Sequence, residues 1–183
     1  MGHWDGHAGM VGAWAGRIIT VQQWMVASGI VEGPEGLLLV QNRRRDGTAD
    51  WSPPGGVVET AEGESVVDGL TREVAEETGL RVGAWEGPLY EVEAVAPGMG
   101  WHLRVEVYRA LAYEGAIEIA DPDGIVIDAG FLTLEACRLQ LATTWLPTHE
   151  PLLHWLDERW SEQRSYRYHI EGASRSAMTI TRV

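Results

Sequence analysis

The chain has 183 residues, of which 27 are acidic and 14 basic, giving a formal net charge of −13. This length suits a single domain with a buried core, and the acidic balance argues against binding DNA or RNA through a basic surface. The single cysteine, Cys137, excludes an intrachain disulfide and makes a reducing cytoplasm the expected location. No signal-peptide pattern and no apolar run of membrane-spanning length is present, so we expect no membrane partner.

The first 16 residues are predicted to form an irregular N-terminal lead-in, because they show no helical or strand period. His3 and His7 in this segment are side chains that could ligate a metal ion. A loosely docked terminus is the plainer interpretation of the segment, and it is the one we prefer.

The hydrophobic pattern predicts several strands. Alternation of apolar and polar residues, or a continuous apolar run, predicts strands at 18–31, 37–41, 57–58, 85–95, 101–113 and 125–132. Pro97-Gly98 separates two of them and predicts a long hairpin. The segment from Gly115 to Asp123 is predicted to be a loop or an edge strand.

A helix dense in carboxylates is predicted to begin at Glu64 or Ser65, to run to about Thr78 and to end at Gly79, which suits the position after a helix. A second helix at 134–141 has Thr133 as its capping residue.

A third helix is predicted to be capped by Thr148, with Pro151 in its first turn. Residues 17–162 are predicted to form one domain. Residues 163–183 are predicted to be a C-terminal tail containing a hairpin.

The acidic helix carries the strongest chemical signal in the chain. At 3.6 residues per turn, Glu73, Glu76 and Glu77 fall within an arc of roughly 100°. Like charges at these spacings destabilise a bare helix, and a hard divalent cation with oxygen ligands removes that conflict. A solvated acidic face is the alternative explanation.

Two neighbouring features favour a built site over a solvated face. Gly69 within the carboxylate arc costs roughly 1 kcal/mol of helix stability, which predicts close approach of a neighbouring backbone. Arg72 is expected to reach Glu64 or Glu76, and Gly56 could bring a backbone carbonyl to a metal ion.

The segment from Gly56 to Leu80 resembles the Nudix box, written G-x5-E-x7-R-E-U-x-E-E-x-G-U with U aliphatic. From Glu64 to Leu80 the match is complete. Between Gly56 and Glu64 there are seven residues where the box has five, so this is a variant with a two-residue insertion. The resemblance implies an α/β (α+β) fold in which a central mixed sheet is sandwiched between helices.

The resemblance also implies Mg²⁺-dependent hydrolysis of a diphosphate linkage in a nucleoside diphosphate derivative, with Mn²⁺ as an alternative ion. It assigns catalysis to Arg72, Glu73 and Glu76. The implied metal site comprises Glu73, Glu77, Glu76, Gly56 and Glu64, with Glu76 either a third ligand or the base that deprotonates water. Arg72 and Glu64 are better interpreted as braces.

Some relatives place the base on a loop outside the box. The candidates in this chain are Asp121, Asp123 and Asp128.

The sequence says less about which residues contact the substrate than about which residues bind the metal ion. The candidates are Trp51, Arg43, Arg44, Arg104 and His102, and an aromatic stack on the base could use Trp24, Trp51 or Trp101. A Trp three residues before Pro-Gly-Gly, here Trp51, resembles the pattern of the branch that removes unwanted nucleoside triphosphates. Pro97 lies about where ADP-ribose hydrolases often have a proline after the box, so in this feature the chain resembles the ADP-ribose branch.

Three alternatives therefore stay open. The substrate could be a nucleoside triphosphate, or it could be ADP-ribose or a nucleotide sugar. The domain could also be a non-catalytic nucleotide sensor. A homodimer is expected, through the 101–113 hairpin or the C-terminal tail.

Overall fold

The computed structural model describes residues 11–14, 17–174 and 177–183. Its strands are β1 Val11–Trp14, β2 Arg17–Thr20, β3 Gln22–Ile30, β4 Glu32–Gly33, β5 Gly36–Arg43, β6 Ala49–Ser52, β7 Gly55–Val57, β8 Arg81–Ala96, β9 Trp101–Glu114, β10 Val126–Leu132, β11 Arg164–Glu171 and β12 Thr179–Arg182. Its α-helices are α1 Val66–Thr78, α2 Leu134–Leu141 and α3 Leu146–Glu158. Short 3-10 turns occur at Thr60–Glu62 and Pro97–Met99.

The strands form one large mixed sheet and two smaller sheets. The large sheet has the order β12-β11-β8-β9-β3-β7, with β3 parallel to β9, β11 parallel to β8, and its other pairs antiparallel. A second sheet has the order β10-β5-β4, with β6 also paired to β5, and β1 pairs with β2. The mixed sheet between helices confirms the predicted fold class.

Two hydrophobic cores hold these layers together. One packs Leu70 and Val74 of α1 against sheet residues such as Ala27. The other packs Leu152 of α3 against sheet residues such as Val92 and includes α2 side chains. This arrangement fixes α1, with its acidic residues, along one side of the sheets.

Helix α1 has the predicted ends. The Ser65 side chain accepts a hydrogen bond from the Asp68 amide at 3.2 Å, which satisfies one free N–H of the first turn. Gly79 closes the helix at φ 76°, a left-handed conformation that glycine adopts without steric penalty. Thr133 caps α2 as predicted, with its side chain accepting from Ala136 N.

Three sequence predictions are wrong. Helix α3 begins at Leu146, before Thr148, because Pro147 occupies its first turn, where the missing N–H is not needed. Pro151 consequently lies inside the helix. Val11–Trp14 is a strand paired with β2, within the predicted irregular lead-in; His3 and His7 lie outside the described residues.

The C-terminal segment is part of the large sheet. Strand β11 lies between β8 and β12, and the β11-β12 pair is the antiparallel hairpin that the sequence predicted. Strand β9 is paired on both sides over Trp101–Arg109, to β8 and to β3, so the edges of this sheet are β12 and β7. Dimer formation stays a prediction, and β12 is the better candidate edge.

Among the described residues, the helices are too short and too polar to span a membrane.

Candidate functional site

A cleft of about 560 Å³ lies between α1, β7 and the loop that precedes β10. Its wall is formed by Asn42, Arg44, Gly55, Gly56, Val57, Glu59, Arg72, Glu73, Glu76, Glu77, Asp121, Pro122, Asp123 and Ile125. The acidic residues of α1 therefore face a shared space that a ligand could enter. Glu64 stands beside this wall, bonded to Arg72.

Arg72 is the centre of an ion-pair network in this cleft. Its Nε donates to Glu64 Oε1 at 2.9 Å, and its Nη1 donates to Glu73 Oε1 at 2.8 Å and to Glu76 Oε2 at 3.2 Å. A hydrogen bond from Arg72 holds the pKa of Glu64 below its usual range, with the Glu59 amide contributing at 2.8 Å. Arg72 thus braces the loop that contains the two-residue insertion against α1.

Gly69 makes room for this brace. A Cβ built on Gly69 would lie 2.8 Å from Glu64 Oε2, closer than real contacts allow. The neighbour packed against this glycine is therefore a carboxylate, where the sequence had predicted a backbone segment.

Glu77 is the most buried carboxylate of the cleft, with 8% of its surface exposed. The backbone amide of Gly55 donates to Glu77 Oε2 at 2.8 Å, which ties β7 to the helix. Burial, with a smaller contribution from the charge of Glu73, raises the pKa of Glu77 to about 8. Burial also raises the pKa of Glu73, although Arg72 opposes that shift.

The donor set suits a hard divalent cation. Glu73, Glu76 and Glu77 supply carboxylate oxygens in one cleft, which is the ligand type that magnesium and manganese prefer. A Cβ on Gly56 would lie 2.4 Å from Glu73 Oε2, so only glycine leaves space beside that oxygen. Within the described residues, however, no three acidic, His or Cys side chains stand together in ligand geometry. Two of the carboxylates, Glu73 and Glu76, accept hydrogen bonds from Arg72 instead.

Asp121, Asp123 and Asp128 were proposed as alternative bases. Two of them, Asp121 and Asp123, lie on the cleft wall, in the loop before β10. Asp121 accepts from the amides of Asp123, Ile125 and Val126 at 3.0, 2.7 and 2.8 Å, so its carboxylate already holds the loop. Asp123 lines the cleft as well, whereas Asp128 bonds its neighbour Ala129 and does not line it.

This loop is fastened to the end of α1. The amides of Glu118 and Ala120 donate to the Thr78 and Glu76 carbonyls, each at 2.9 Å. These carbonyls would otherwise lack helical partners. The sequence contains no local signal for this contact, because it joins segments about 40 residues apart.

The arginines proposed for substrate binding separate in the structure. Arg44 lines the cleft, with its Nε bonded to Asp50 at 2.8 Å. Arg43 is exposed and does not line it. Asn42, which the sequence did not single out, is buried on the cleft wall and donates to Ser52 at 2.9 Å.

The other proposed substrate residues lie away from the carboxylates. His102 and Arg104 line a separate pocket of about 470 Å³ beside Thr60 and Ala61, and they pair with acidic neighbours on the sheet. Trp51 packs against the core on the α2–α3 side, and its carbonyl accepts from Thr144 Oγ1 at 2.8 Å.

Comparison with known families gives one match over most of the chain. The family model described as the NUDIX domain matches residues 23–156, a range that includes α1 and every residue of the cleft wall. A search of curated proteins finds no match.

Solved structures with the same fold are distant in sequence. The Escherichia coli ORF135 protein is 19% identical, with a TM-score of 0.62 over 80% of this chain and 100% of its own. The Bacillus halodurans MutT protein is 20% identical, with a TM-score of 0.60 over 87% and 97%. The NUDIX domain of Shewanella oneidensis NrtR, solved with ADP-ribose, is 23% identical, with a TM-score of 0.59 over 75% and 88%.

Proposed function

Since this chain belongs to the Nudix family, we propose that it hydrolyses a diphosphate linkage in a nucleoside di- or triphosphate derivative. The observation that carries this proposal is the cleft whose wall Glu73, Glu76 and Glu77 share with Gly55 and Gly56. Carboxylates in that number, with Arg72 as the compensating cation on the helix, suit a divalent ion better than a solvated surface.

Mg²⁺ is the proposed ion, with Mn²⁺ as an alternative. Glu73 and Glu77 would hold it, with Gly56 supplying its carbonyl and Glu76 serving either as a third ligand or as the acceptor of the proton from the attacking water. When bound, such an ion neutralises charge on the diphosphate and activates water for in-line attack on phosphorus. Arg72 keeps Glu64, Glu73 and Glu76 together, so it orients the set.

Substrate choice has support in two directions. Arg44 lies on the cleft wall. Asp50 already accepts from its Nε and Nη2, so a substrate phosphate would contact the Nη1 side of the guanidinium. The NrtR NUDIX domain was solved with ADP-ribose, which supports ADP-ribose or a nucleotide sugar as the alternative substrate class. A non-catalytic nucleotide sensor is the alternative from another functional class.

The partners follow from the same chemistry. A small nucleotide is the proposed ligand, nucleic acid is not, and the lone buried Cys137 is compatible with the proposed cytoplasmic location. A homodimer through the β12 edge remains a proposal that a mass measurement in solution would test.

The decisive experiment compares wild type with Glu77→Gln on nucleoside triphosphates, ADP-ribose, dinucleoside polyphosphates and nucleotide sugars. Each reaction contains Mg²⁺, and release of phosphate, pyrophosphate or nucleoside monophosphate is measured. We expect turnover of at least one substrate by wild type and a loss of about 100-fold or more in the variant. If both proteins are inert while nucleotide still binds, the sensor alternative replaces the enzyme.

A further inference from the structure

Trp85 on β8 turns toward α1 because the β8-β9 ladder is irregular beside it. Val82 pairs with Tyr113. Trp85 pairs with Ala110, and between these two pairs the ladder skips one residue on each strand. Strict alternation would put Val82 and Trp85, which are three residues apart, on opposite faces of the sheet. Both belong instead to the core that contains Leu70 of α1. Irregularities of this kind re-aim side chains, and they are common next to active sites.

A glycine on β3 makes room for the Trp85 ring. Gly29 is buried and lies on the same face of β3 as Ala27, which belongs to the core beneath α1. A Cβ built on Gly29 would lie 2.8 Å from Cη2 and 3.0 Å from Cζ3 of Trp85, and 3.5 Å from Cδ1 of Leu70. A glycine inside a strand often marks such a close approach. The indole ring therefore lies where β3 meets α1.

The same indole forms a hydrogen bond with α1. Trp85 Nε1 donates to Thr71 Oγ1 at 3.0 Å, and that hydroxyl donates to the Val67 carbonyl at 2.8 Å. The bond to Val67 orients the hydroxyl so that its oxygen can accept from the indole. Because packing on Gly29 holds the ring, this bond restrains the rotation of α1 about its own axis.

Thr71 lies on the side of α1 that faces away from the cleft. At 3.6 residues per turn it is roughly 160° around the helix from Glu73 and roughly 120° from Glu77. On the cleft side, the Gly55 amide donates to Glu77 at 2.8 Å. The helix is thus held on two sides, and a shift on the Trp85 side would move the carboxylates relative to β7.

We propose that Trp85 is a positioning residue for the proposed hydrolysis, which through Thr71 sets where α1 presents its carboxylates. Trp85 is not part of the cleft wall, so it acts through the helix. The inference rests on the proposed function, because it concerns the same carboxylates. A misplacement of about 1 Å at a catalytic site can reduce a rate about 100-fold. Loss of the indole donor should therefore weaken metal binding as well as turnover.

The test removes the hydrogen bond from each side. Trp85→Phe keeps a ring but loses the donor. Thr71→Val leaves the packed indole unchanged and loses the acceptor, and valine and threonine have similar helix propensities. Calorimetry measures the affinity of each protein for Mn²⁺, and steady-state kinetics with Mg²⁺ measures kcat and KM on the nucleotides used to test the proposed function.

We expect each of these variants to bind Mn²⁺ about tenfold more weakly and to lose about tenfold or more in kcat. Thr71→Ser, which retains the hydroxyl, should restore both values. The double variant Trp85→Phe/Thr71→Val should lose no more than either single variant, because one bond is removed in all three proteins.

A measurement on the metal-free protein makes the inference independent of turnover. The Gly55 amide is bonded to Glu77, so its deuterium exchange, followed by nuclear magnetic resonance in the presence of a chelator, reports how firmly α1 is held against β7. Trp85→Phe and Thr71→Val should accelerate this exchange about tenfold.

Tyr168→Phe is the matched control. It also removes a hydrogen bond between a buried aromatic side chain and a carboxylate, but in the core on the α3 side. It should lower the melting temperature while leaving the Gly55 exchange rate, the Mn²⁺ affinity and kcat unchanged.

Wild-type Gly55 exchange, Mn²⁺ affinity and kcat in Trp85→Phe and Thr71→Val would overturn the inference, and so would equal effects of Tyr168→Phe. If wild type hydrolyses a nucleotide while either result is found, the inference fails and the proposed function stands. If Gly55 exchange responds to Trp85→Phe and Thr71→Val alone but no nucleotide is hydrolysed, the proposed function fails and the positioning of α1 by Trp85 stands.

Discussion

Burial of the Glu77 carboxyl is expected to lower the stability of the protein when no metal ion is bound. This carboxyl is buried beside Glu73, and both effects favour its neutral form. Glu77→Gln keeps the shape and the acceptor for the Gly55 amide while removing the charge. We therefore expect the metal-free variant to melt at a higher temperature than metal-free wild type. The difference should be about 2–4 °C for each kcal/mol by which the free energy of unfolding increases. Scanning calorimetry in the presence of a chelator measures this rise.

Mg²⁺ should then reverse the order of stability. A ligand that binds only the folded state raises its stability, so millimolar Mg²⁺ should stabilise wild type and leave Glu77→Gln nearly unchanged. Glu62→Gln is the control, because Glu62 is an exposed acid outside the cleft wall. Equal stabilisation of wild type and Glu77→Gln by Mg²⁺ would exclude Glu77 as a ligand.

Gly56 provides a second prediction at the scale of one residue. In Gly56→Ala the new methyl group would lie 2.4 Å from Glu73 Oε2, so the Glu73 side chain must move. Hydrolysis should fall about tenfold or more, whereas Gly83→Ala, whose Cβ meets nothing within 4 Å, should retain full activity. Steady-state rates for both variants check this; an active Gly56→Ala would show that the position of Glu73 is not required.

At the scale of elements, the loop before β10 depends on one carboxylate. Asp121 accepts three backbone amides and lies in the segment fastened to the end of α1. Asp121→Ala leaves those amides without partners, so hydrogen exchange over 118–126 should accelerate and activity should fall. Mass spectrometry of exchanged peptides measures the change. Asp128→Ala, which loses only a bond to its neighbour, is the control.

The elements also show which parts of the site were predictable. Glu73, Glu76 and Glu77 lie on one helix, so the helical period alone brought them together, and the Ser65 cap and Gly79 fixed its ends. Asp121 and Arg44 reach the same cleft through pairings between distant segments, which a local pattern does not encode. The position of Trp51 is not encoded locally for the same reason: the face of β6 that meets the core depends on its register with β5.

At the scale of the whole molecule, the sequence suggested a domain ending near residue 162, and the sheet extends beyond that point. Strand β11 lies inside the large sheet, and its Tyr166, Tyr168 and Ile170 side chains are at most 2% exposed. Alternation in a short run does not distinguish a loose hairpin from a strand that joins the main sheet, because both have a period of two.

Removal of residues 163–183 should therefore unfold the protein. Each of the three buried β11 side chains contributes about 1.5–3 kcal/mol through burial, and their sum is comparable to the entire stability of a typical domain, about 5–15 kcal/mol. Removal of 179–183 alone deletes β12, whose side chains are half-buried or exposed, and should lower stability without unfolding. Near-ultraviolet circular dichroism and chemical denaturation of both truncations measure this. A cooperative unfolding transition in the protein that ends at residue 162 would contradict this prediction. It would show that the core folds without the β11 side chains, with β8 as the edge of the sheet.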